Sequence, residues 1–233
     1  MRRNLLLAAL CVVVSVGAAN PGRMPVLVEL FTSEGCSSCP PADRLLQRLD
    51  RQTIVLSEHV DYWDQQGWKD RFSSHVFTER QEAYARQFTL DAPYTPQMVV
   101  DGAAQFVGSD VRRASAEIDQ AAGRPKVGLR ITRAATGVWV ESDPVPSAAD
   151  VMLAVADDGD ASQVAAGENK GLDLRYVAVV RSLRKIGSVK RGASFGGQVA
   201  LPAATASQRI VVFLQEPGQA RISGAAMLAA GGV

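Results

Sequence analysis

Two cysteines, Cys36 and Cys39, stand two residues apart in Gly35-Cys36-Ser37-Ser38-Cys39-Pro40-Pro41, directly after the apolar run from Pro25 to Phe31. A thiol pair at this spacing, where a buried strand hands over to a helix, is a redox-type arrangement. Such a pair can close into a disulfide with little backbone movement, and the free N–H groups and positive dipole end of the helix favour a thiolate on the first sulfur. Cys36 is therefore expected at the helix mouth, exposed and attacking, with Cys39 one turn further in as the buried resolving thiol. Glu34 opposes the thiolate and no cation stands beside Cys36 in sequence, which argues for a reactive thiol rather than a strongly oxidising one. Pro40 and Pro41 fit a first helical turn, whose N–H groups are unpaired anyway. Two in succession point to a late helix start or a kink.

The N-terminus reads as an address. Arg2 and Arg3, the apolar stretch from Leu5 to Val16 and the small residues Gly17-Ala18-Ala19 have the layout of a secretory signal peptide over residues 1–19. A retained anchor is a lesser alternative. A lipoprotein reading of Cys11 suffers from the bulky Leu10, and the arginine pair is a weak cue for twin-arginine export. No later segment offers about 18 unbroken apolar residues, so stable membrane insertion after cleavage is not expected. Cleavage takes the Lys+Arg count from 25 to 23 against 24 Asp+Glu. That balance gives no electrostatic reason to expect nucleic acid as a partner. Cleavage also removes Cys11 and leaves Cys36 and Cys39 as the remaining thiols. A bridge closing so small a loop removes little unfolded-state entropy, so chemistry is a better explanation of the pair than stabilisation.

Residues 25–31 are predicted as a buried strand, and Ala42, Leu45, Leu46 and Leu49 form the i, i+3, i+4, i+7 stripe of a helix. A second strand is predicted over 53–60, an ordered loop over 61–74 holding Trp63 and Trp68, and a helix over 75–88. Asp101-Gly102 between two apolar runs signals a hairpin, and Ser109 is the expected cap of a helix carrying Val111, Ala114, Ile118 and Ala121. The order β-α-β-α-β-β-α is the minimal thioredoxin/glutaredoxin layout, assigned to residues 24–124. From 125 to 233 the character changes. Val127, Leu129 and Ile131 alternate with Gly128 and Arg130, and further strands are predicted at 138–140, 150–156, 176–180, 209–215 and 221–228. These suggest an appended C-terminal antiparallel β-domain, sandwich-like. The basic run from Arg181 to Arg191 is read as a solvated strand end.

Three chemistries fit the cysteine pair: a redox site first, then part of a metal site, then a structural bridge. Zinc normally takes four ligands, and His59 and His75 are the only imidazoles in the chain. Cu(I), which favours thiolates, is the metal alternative, with Cys36, Cys39 and His59 as ligands. Thr95-Pro96-Gln97 ahead of a strand is the second element of the site. Pro96 is a candidate for a cis peptide. Likeness to thioredoxin-like folds implies that such a proline faces the cysteines and leaves the Thr95 backbone free to pair with an extended substrate. Glu29 is a candidate proton carrier beneath the resolving thiol, although its register falls one residue off. His59 is a candidate base or soft-metal ligand at the strand edge where ligands gather in open α/β sheets, or else a histidine bonded within its loop. No cofactor is required. The expected partner is a protein or small-molecule thiol or disulfide.

Together these segments resemble the DUF1223 family of exported thioredoxin-like proteins. The matching stretches are 28–43, from Val28 through the cysteines to Asp43; His59-Val-Asp-Tyr-Trp-Asp64 with Gly67-Trp68-Lys69-Asp70; and Tyr94-Thr-Pro-Gln-Met-Val-Val100. Gly167-Glu-Asn169 and Val179-Val-Arg181 match the second half. The resemblance implies a periplasmic or secreted protein of thioredoxin-like fold and says little about its substrate. A non-catalytic binding module on the same fold is the remaining alternative.

Overall fold

The computed structural model describes residues 25–134, 136–201 and 207–231. The leader segment 1–19 and Cys11 lie outside the described residues.

The apolar run after Pro25 forms β1 (Leu27–Thr32), buried at every position, which pairs in parallel with β2 (Ile54–His59). Between them α1 (Pro40–Leu49) buries Ala42, Leu45 and Leu46 on one face. The expectation of a late or kinked start is corrected. Both prolines fall in the first turn, which needs no N–H from them, and the helix begins immediately after Cys39. Next come α2 (His75–Gln87), β3 (Gln97–Val100) and β4 (Ala104–Val107), which form a hairpin against β1, and α3 (Val111–Ala122). Asp101 and Gly102 at the hairpin turn both have positive φ, 48° and 62°. A Cβ on Gly102 would lie 2.5 Å from the Ala220 carbonyl oxygen. The cap of α3 is Asp110, whose carboxylate accepts from the Arg113 N–H, and not Ser109.

The second half supplies β5 (Leu129–Ala134), β6 (Gly137–Ser142), β7 (Ala149–Gln163), β8 (Asp173–Val189), β9 (Gly196–Val199), β10 (Gln208–Gln215) and β11 (Ile222–Leu228). Its long strands do not make a sheet of their own. They extend the first sheet into one of eight strands, β11-β10-β7-β8-β2-β1-β3-β4, joined where Ser57 of β2 pairs in parallel with Val179 of β8. Val179 and Val180 are buried. Period-2 patterning marks such a strand as buried but does not say which neighbour covers its edge. Sandwich-like packing is present locally. A three-stranded sheet β5-β6-β9 sets Val138, Val140 and Val199 against Val151, Leu153, Ile210 and Val212 of the large sheet. The β7–β8 hairpin is much longer than expected. Two register shifts, at Val151/Met152 and Val155/Ala156, let it run from Ala149–Val189 out to Gln163–Asp173. Its tip reaches back across the first half.

No helix among the described residues is long and apolar enough to cross a membrane.

Candidate functional site

The chain leaves β1 through Ser33-Glu34-Gly35 and enters α1 through the cysteines. Two successive turns, Cys36 N–H to Ser33 O (3.2 Å) and Cys39 N–H to Cys36 O (3.1 Å), fold the loop back on itself. Cys36 and Cys39 are joined in a disulfide with Cα atoms 5.4 Å apart. The Cys39 carbonyl accepts the first helical N–H groups, those of Ala42 and Asp43.

The second element lies alongside. Ser38 Oγ is 3.3 Å from Cys36 Sγ and donates to the Thr95 carbonyl at 3.5 Å. Trp63 Nε1 donates to Thr95 Oγ1 at 2.8 Å, and the Thr95–Pro96 peptide is cis. Pro96 packs towards α1: a Cβ on Gly108 would meet Ala42 at 3.1 Å and Pro96 at 3.2 Å. Cys36, Cys39, Thr95 and Pro96 are thus gathered in one place.

The expectation of an exposed Cys36 is corrected: both cysteines are 0 % exposed. The tip of the β7–β8 hairpin, which sequence spacing does not place here, is hydrogen-bonded to the cysteine loop. Asn169 Nδ2 donates to the Glu34 and Cys36 carbonyls, each at 2.9 Å. Glu168 Oε2 accepts from the Ser37 N–H at 3.2 Å. The two hydrogen bonds from Ser37, side chain and backbone, hold the Glu168 carboxyl below its ordinary pKa.

Beneath the disulfide loop lies a buried polar cluster. Asp43 follows Cys39 by one helical turn, so the two share a face of α1. Thr32 Oγ1 donates to Asp43 Oδ1 at 2.8 Å, while Asp43 Oδ2 has no partner. Burial raises the Asp43 carboxyl to about 7, against the opposing pull of His59 and the Thr32 hydroxyl. Thr32 and His59 are paired neighbours on β1 and β2. His59 Nδ1 lies 2.7 Å from Asp70 Oδ2, with both side chains buried. Burial works against the imidazolium, but Asp70, Asp43 and Glu34 together hold His59 above its usual pKa. Burial likewise works against the Asp70 anion, and His59 with the Glu34 and Phe72 N–H groups holds it below. Glu34 is raised by burial and by Asp70, with Trp68 Nε1 donating to it at 2.6 Å. The Tyr176 ring stands 4.7 Å from the His59 ring, and its hydroxyl, like His59 Nε2, is buried without a partner. Asp43 is among the residues that line a cavity of about 180 Å³, with Pro40, Arg44, Gln47, Leu174 and Arg175.

Of the three readings of His59, the structure displays the loop-bonded one. Glu29 is not brought to the sulfurs. Strand alternation turns it to the opposite face of the sheet from Thr32, where it accepts from Arg80 Nε at 2.7 Å and Tyr84 OH at 2.6 Å. Trp63 and Trp68 pin the 61–74 loop by their indole N–H groups. Among the described residues, no group of three or more His, Cys, Asp and Glu side chains is arranged to hold a metal ion.

Sequence reasoning missed Asp43, Asp70, Tyr176 and the hydrogen bonds of Glu168 and Asn169 to the cysteine loop. Asp43 carried a usable signal, a carboxylate one turn beyond a helix-start cysteine and flanked by the buried Ala42 and Leu46. The others come from distant segments whose arrival depends on the topology.

The chain was compared with known proteins at three levels. A search of curated proteins returned no match. A crystal structure of an Agrobacterium tumefaciens protein is similar over 89% of this chain and 95% of that one, at 30% identity and a TM-score of 0.78. HBP35 of Porphyromonas gingivalis is similar in fold over 89% of this chain and 75% of that one, at 14% identity and a TM-score of 0.57. The family model described as "Protein of unknown function (DUF1223)" matches residues 27–215, and the chain belongs to that family.

Proposed function

We propose that this chain is an exported thiol–disulfide oxidoreductase whose first 100 or so described residues act as a thioredoxin-like module. The observation that carries the reading is the Cys36–Cys39 disulfide at the first turn of α1, beside the Thr95–Pro96 step. Export follows from the signal-like leader, and a disulfide fits an oxidising compartment.

In the forward direction a substrate thiolate attacks Cys36 Sγ, and the bond to Cys39 Sγ breaks. Cys39 leaves as a thiolate and takes a proton. Asp43 is assigned as its source: one turn away on the same buried face, with a carboxyl raised to about 7, it is protonated in a substantial fraction near neutral pH. The cavity at Asp43 provides the route by which solvent restores the proton. A second substrate thiol attacks the mixed disulfide and releases Cys36. The two electrons come from the substrate dithiol, which ends as a disulfide. Thr95 lines the approach, and the Thr95 carbonyl near Ser38 is the backbone group offered to the substrate.

The test is reduction of insulin disulfides by the chain lacking its leader, supplied with a dithiol. Turnover that disappears in Cys36→Ser supports the proposal. Turnover no faster than the uncatalysed reaction sinks it, and stoichiometric Cu(I) uptake by the reduced pair without turnover would transfer the site to metal handling.

A further inference from the structure

Ser38 is exposed although the cysteines on either side of its segment are buried. Its hydroxyl faces two acceptors at once: Ser38 Oγ stands 3.3 Å from Cys36 Sγ and 3.5 Å from the Thr95 carbonyl oxygen. A serine hydroxyl carries a single proton, so it serves these acceptors in turn. Which of them takes the proton depends on the state of the sulfur. A disulfide sulfur is a weak acceptor, and the hydroxyl is then drawn to the carbonyl. A thiolate is charged, and hydrogen bonds to an ionised acceptor are roughly twice as strong as neutral ones. Only the O–H bond has to turn for the donor to change sides.

The surroundings give that one donor its weight. Cys36 is wholly buried, so a charge on its sulfur depends on protein donors rather than on bulk water. The first turn of a helix ordinarily offers free N–H groups to an anion. The first four residues of α1 leave none: Pro40 and Pro41 carry no N–H, and those of Ala42 and Asp43 go to the Cys39 carbonyl. The acids around the loop oppose a thiolate. Glu34 lies two residues before Cys36, Glu168 is bonded to the Ser37 N–H, Asp70 accepts from the Glu34 N–H, and Asp43 lies one turn beyond Cys39. The buried imidazole of His59 is taken by Asp70 at 2.7 Å. Burial pushes the Tyr62 and Tyr176 phenols up, and both stay neutral.

We propose that the Ser38 hydroxyl is the donor that holds the Cys36 thiolate, passing from the Thr95 carbonyl to Cys36 Sγ when the disulfide is reduced. The proposal rests on the exchange reading of the site and adds to it the residue that stabilises the leaving sulfur. Its step is the last of the cycle. The second substrate thiolate attacks the substrate sulfur of the mixed disulfide, and the bond from that sulfur to Cys36 Sγ breaks. The electron pair of the broken bond stays on Cys36, where the Ser38 O–H donates to it. The substrate leaves as a disulfide, and its two electrons remain on the cysteine pair.

Two readouts test this, both on the chain lacking its leader. In the first, Cys39→Ala leaves Cys36 as the one thiol, and its thiolate is titrated by ultraviolet absorbance. Adding Ser38→Ala is expected to lower the thiolate fraction about tenfold at pH values below the midpoint, the loss of one hydrogen bond to a charged group. Ser38→Thr, which keeps the hydroxyl, is expected to follow the parent. In the second, the midpoint potential of the intact pair is measured in glutathione buffers at several pH values. A protonated thiol has no charge to hold, so the Ser38→Ala difference grows only as pH rises through the thiol's titration. The variant then becomes more negative than the parent by up to about 30 mV, the equivalent of that tenfold change. A merely structural role would displace the potential equally at every pH. A thiolate fraction unchanged by Ser38→Ala overturns the proposal, as does a displacement of the potential that ignores pH, or a Ser38→Thr chain that behaves like Ser38→Ala. Insulin turnover judges the exchange reading separately: absent turnover in the parent, with both Ser38 effects present, removes the enzyme and leaves the hydroxyl assignment standing.

Discussion

Two buried ionic clusters flank the same pair of strands, one on each face of β1 and β2, and they are built to opposite ends. On the α2 face, Arg80 is held by Glu29 and Tyr84, with Glu58 Oε2 3.5 Å from Arg80 Nε and Gln215 Oε1 3.1 Å from Arg80 Nη1. Its guanidinium also lies over the Tyr84 and Phe213 rings. The guanidinium never gives up its proton in the working range, and burial together with Glu29 pushes the Glu58 carboxyl well up. That cluster locks α2 to the sheet. On the α1 face no arginine closes the set. Unpartnered buried atoms occur on both faces, on Glu58 beside Arg80 and on Asp43, His59 and Tyr176 here, but the acid beside the cysteines sits at about 7. The contrast teaches that burial of charge beneath a strand does not by itself mark chemistry. What separates the two faces is a titratable acid at a cavity with a sulfur one turn away.

The sharpest way to break this contrast is to cut each cluster. Arg80→Ala strands buried carboxylates and is expected to cost about 3–5 kcal/mol, read as a fall in the urea midpoint with unchanged slope. The Cys36–Cys39 chemistry per folded molecule should survive it. If Arg80→Ala instead abolishes exchange in protein that is still folded, the division between the two faces is wrong.

His59→Gln is expected to cost less, about 2–3 kcal/mol, since a neutral donor can still meet Asp70. The pH window has a definite sign. His59 is raised, so its contribution is full below about 6.5 and is lost as pH rises through its folded value. Asp70 is lowered, so its contribution is present above about 3.9 and lost as pH falls through its folded value. The penalty of His59→Gln is therefore greatest between about pH 4 and 6.5, and chemical denaturation at pH 5.5 and 8.5 should show the difference.

Asp43→Asn sharpens the comparison in the other direction. A carboxyl raised to about 7 stays protonated in the fold while the unfolded chain ionises near 3.8, so the fold loses stability as pH climbs between those values. The loss amounts to as much as about 4 kcal/mol by pH 8, and Asp43→Asn should remove that slope. The variant is thus expected to be more stable than the parent at pH 8 and close to it at pH 4, while exchange slows about tenfold or more at neutral pH for want of the proton. A Tm that follows the parent's pH dependence would place the titration elsewhere.

The smallest effect is the control. Arg113 and Glu117 pair at 2.8 Å across one turn of α3, with Arg113 largely exposed. Arg113→Ala should shift stability by less than about 0.5 kcal/mol and leave exchange alone.

Much of this was legible before the fold was seen, wherever the signal was local. The α1 stripe, the Cys–x–x–Cys pair and the Asp101-Gly102 turn are set by neighbours within a few residues. What was not legible needed topology. Glu29 and Thr32 sit three apart on one strand, and alternation sends only one of them to α1; the spacing to Cys36 does not reveal which. Val179 reads as a buried strand residue in any sheet, so its pairing with Ser57 of β2 had no local signature. Asn169 looks like an ordinary loop polar residue. Its role comes from a hairpin whose length is set by two bulges, which carry its tip some 130 positions back along the chain to Cys36.

The most direct measurement is a titration of the disulfide against glutathione buffers, with the chain folded and without denaturant. The exchange site described here is expected to reduce fully in the native state, as a single two-electron step with a midpoint between roughly −120 and −270 mV. A pair that stays oxidised throughout that range and yields only when the chain is unfolded would be a structural bridge, and the redox function would be contradicted.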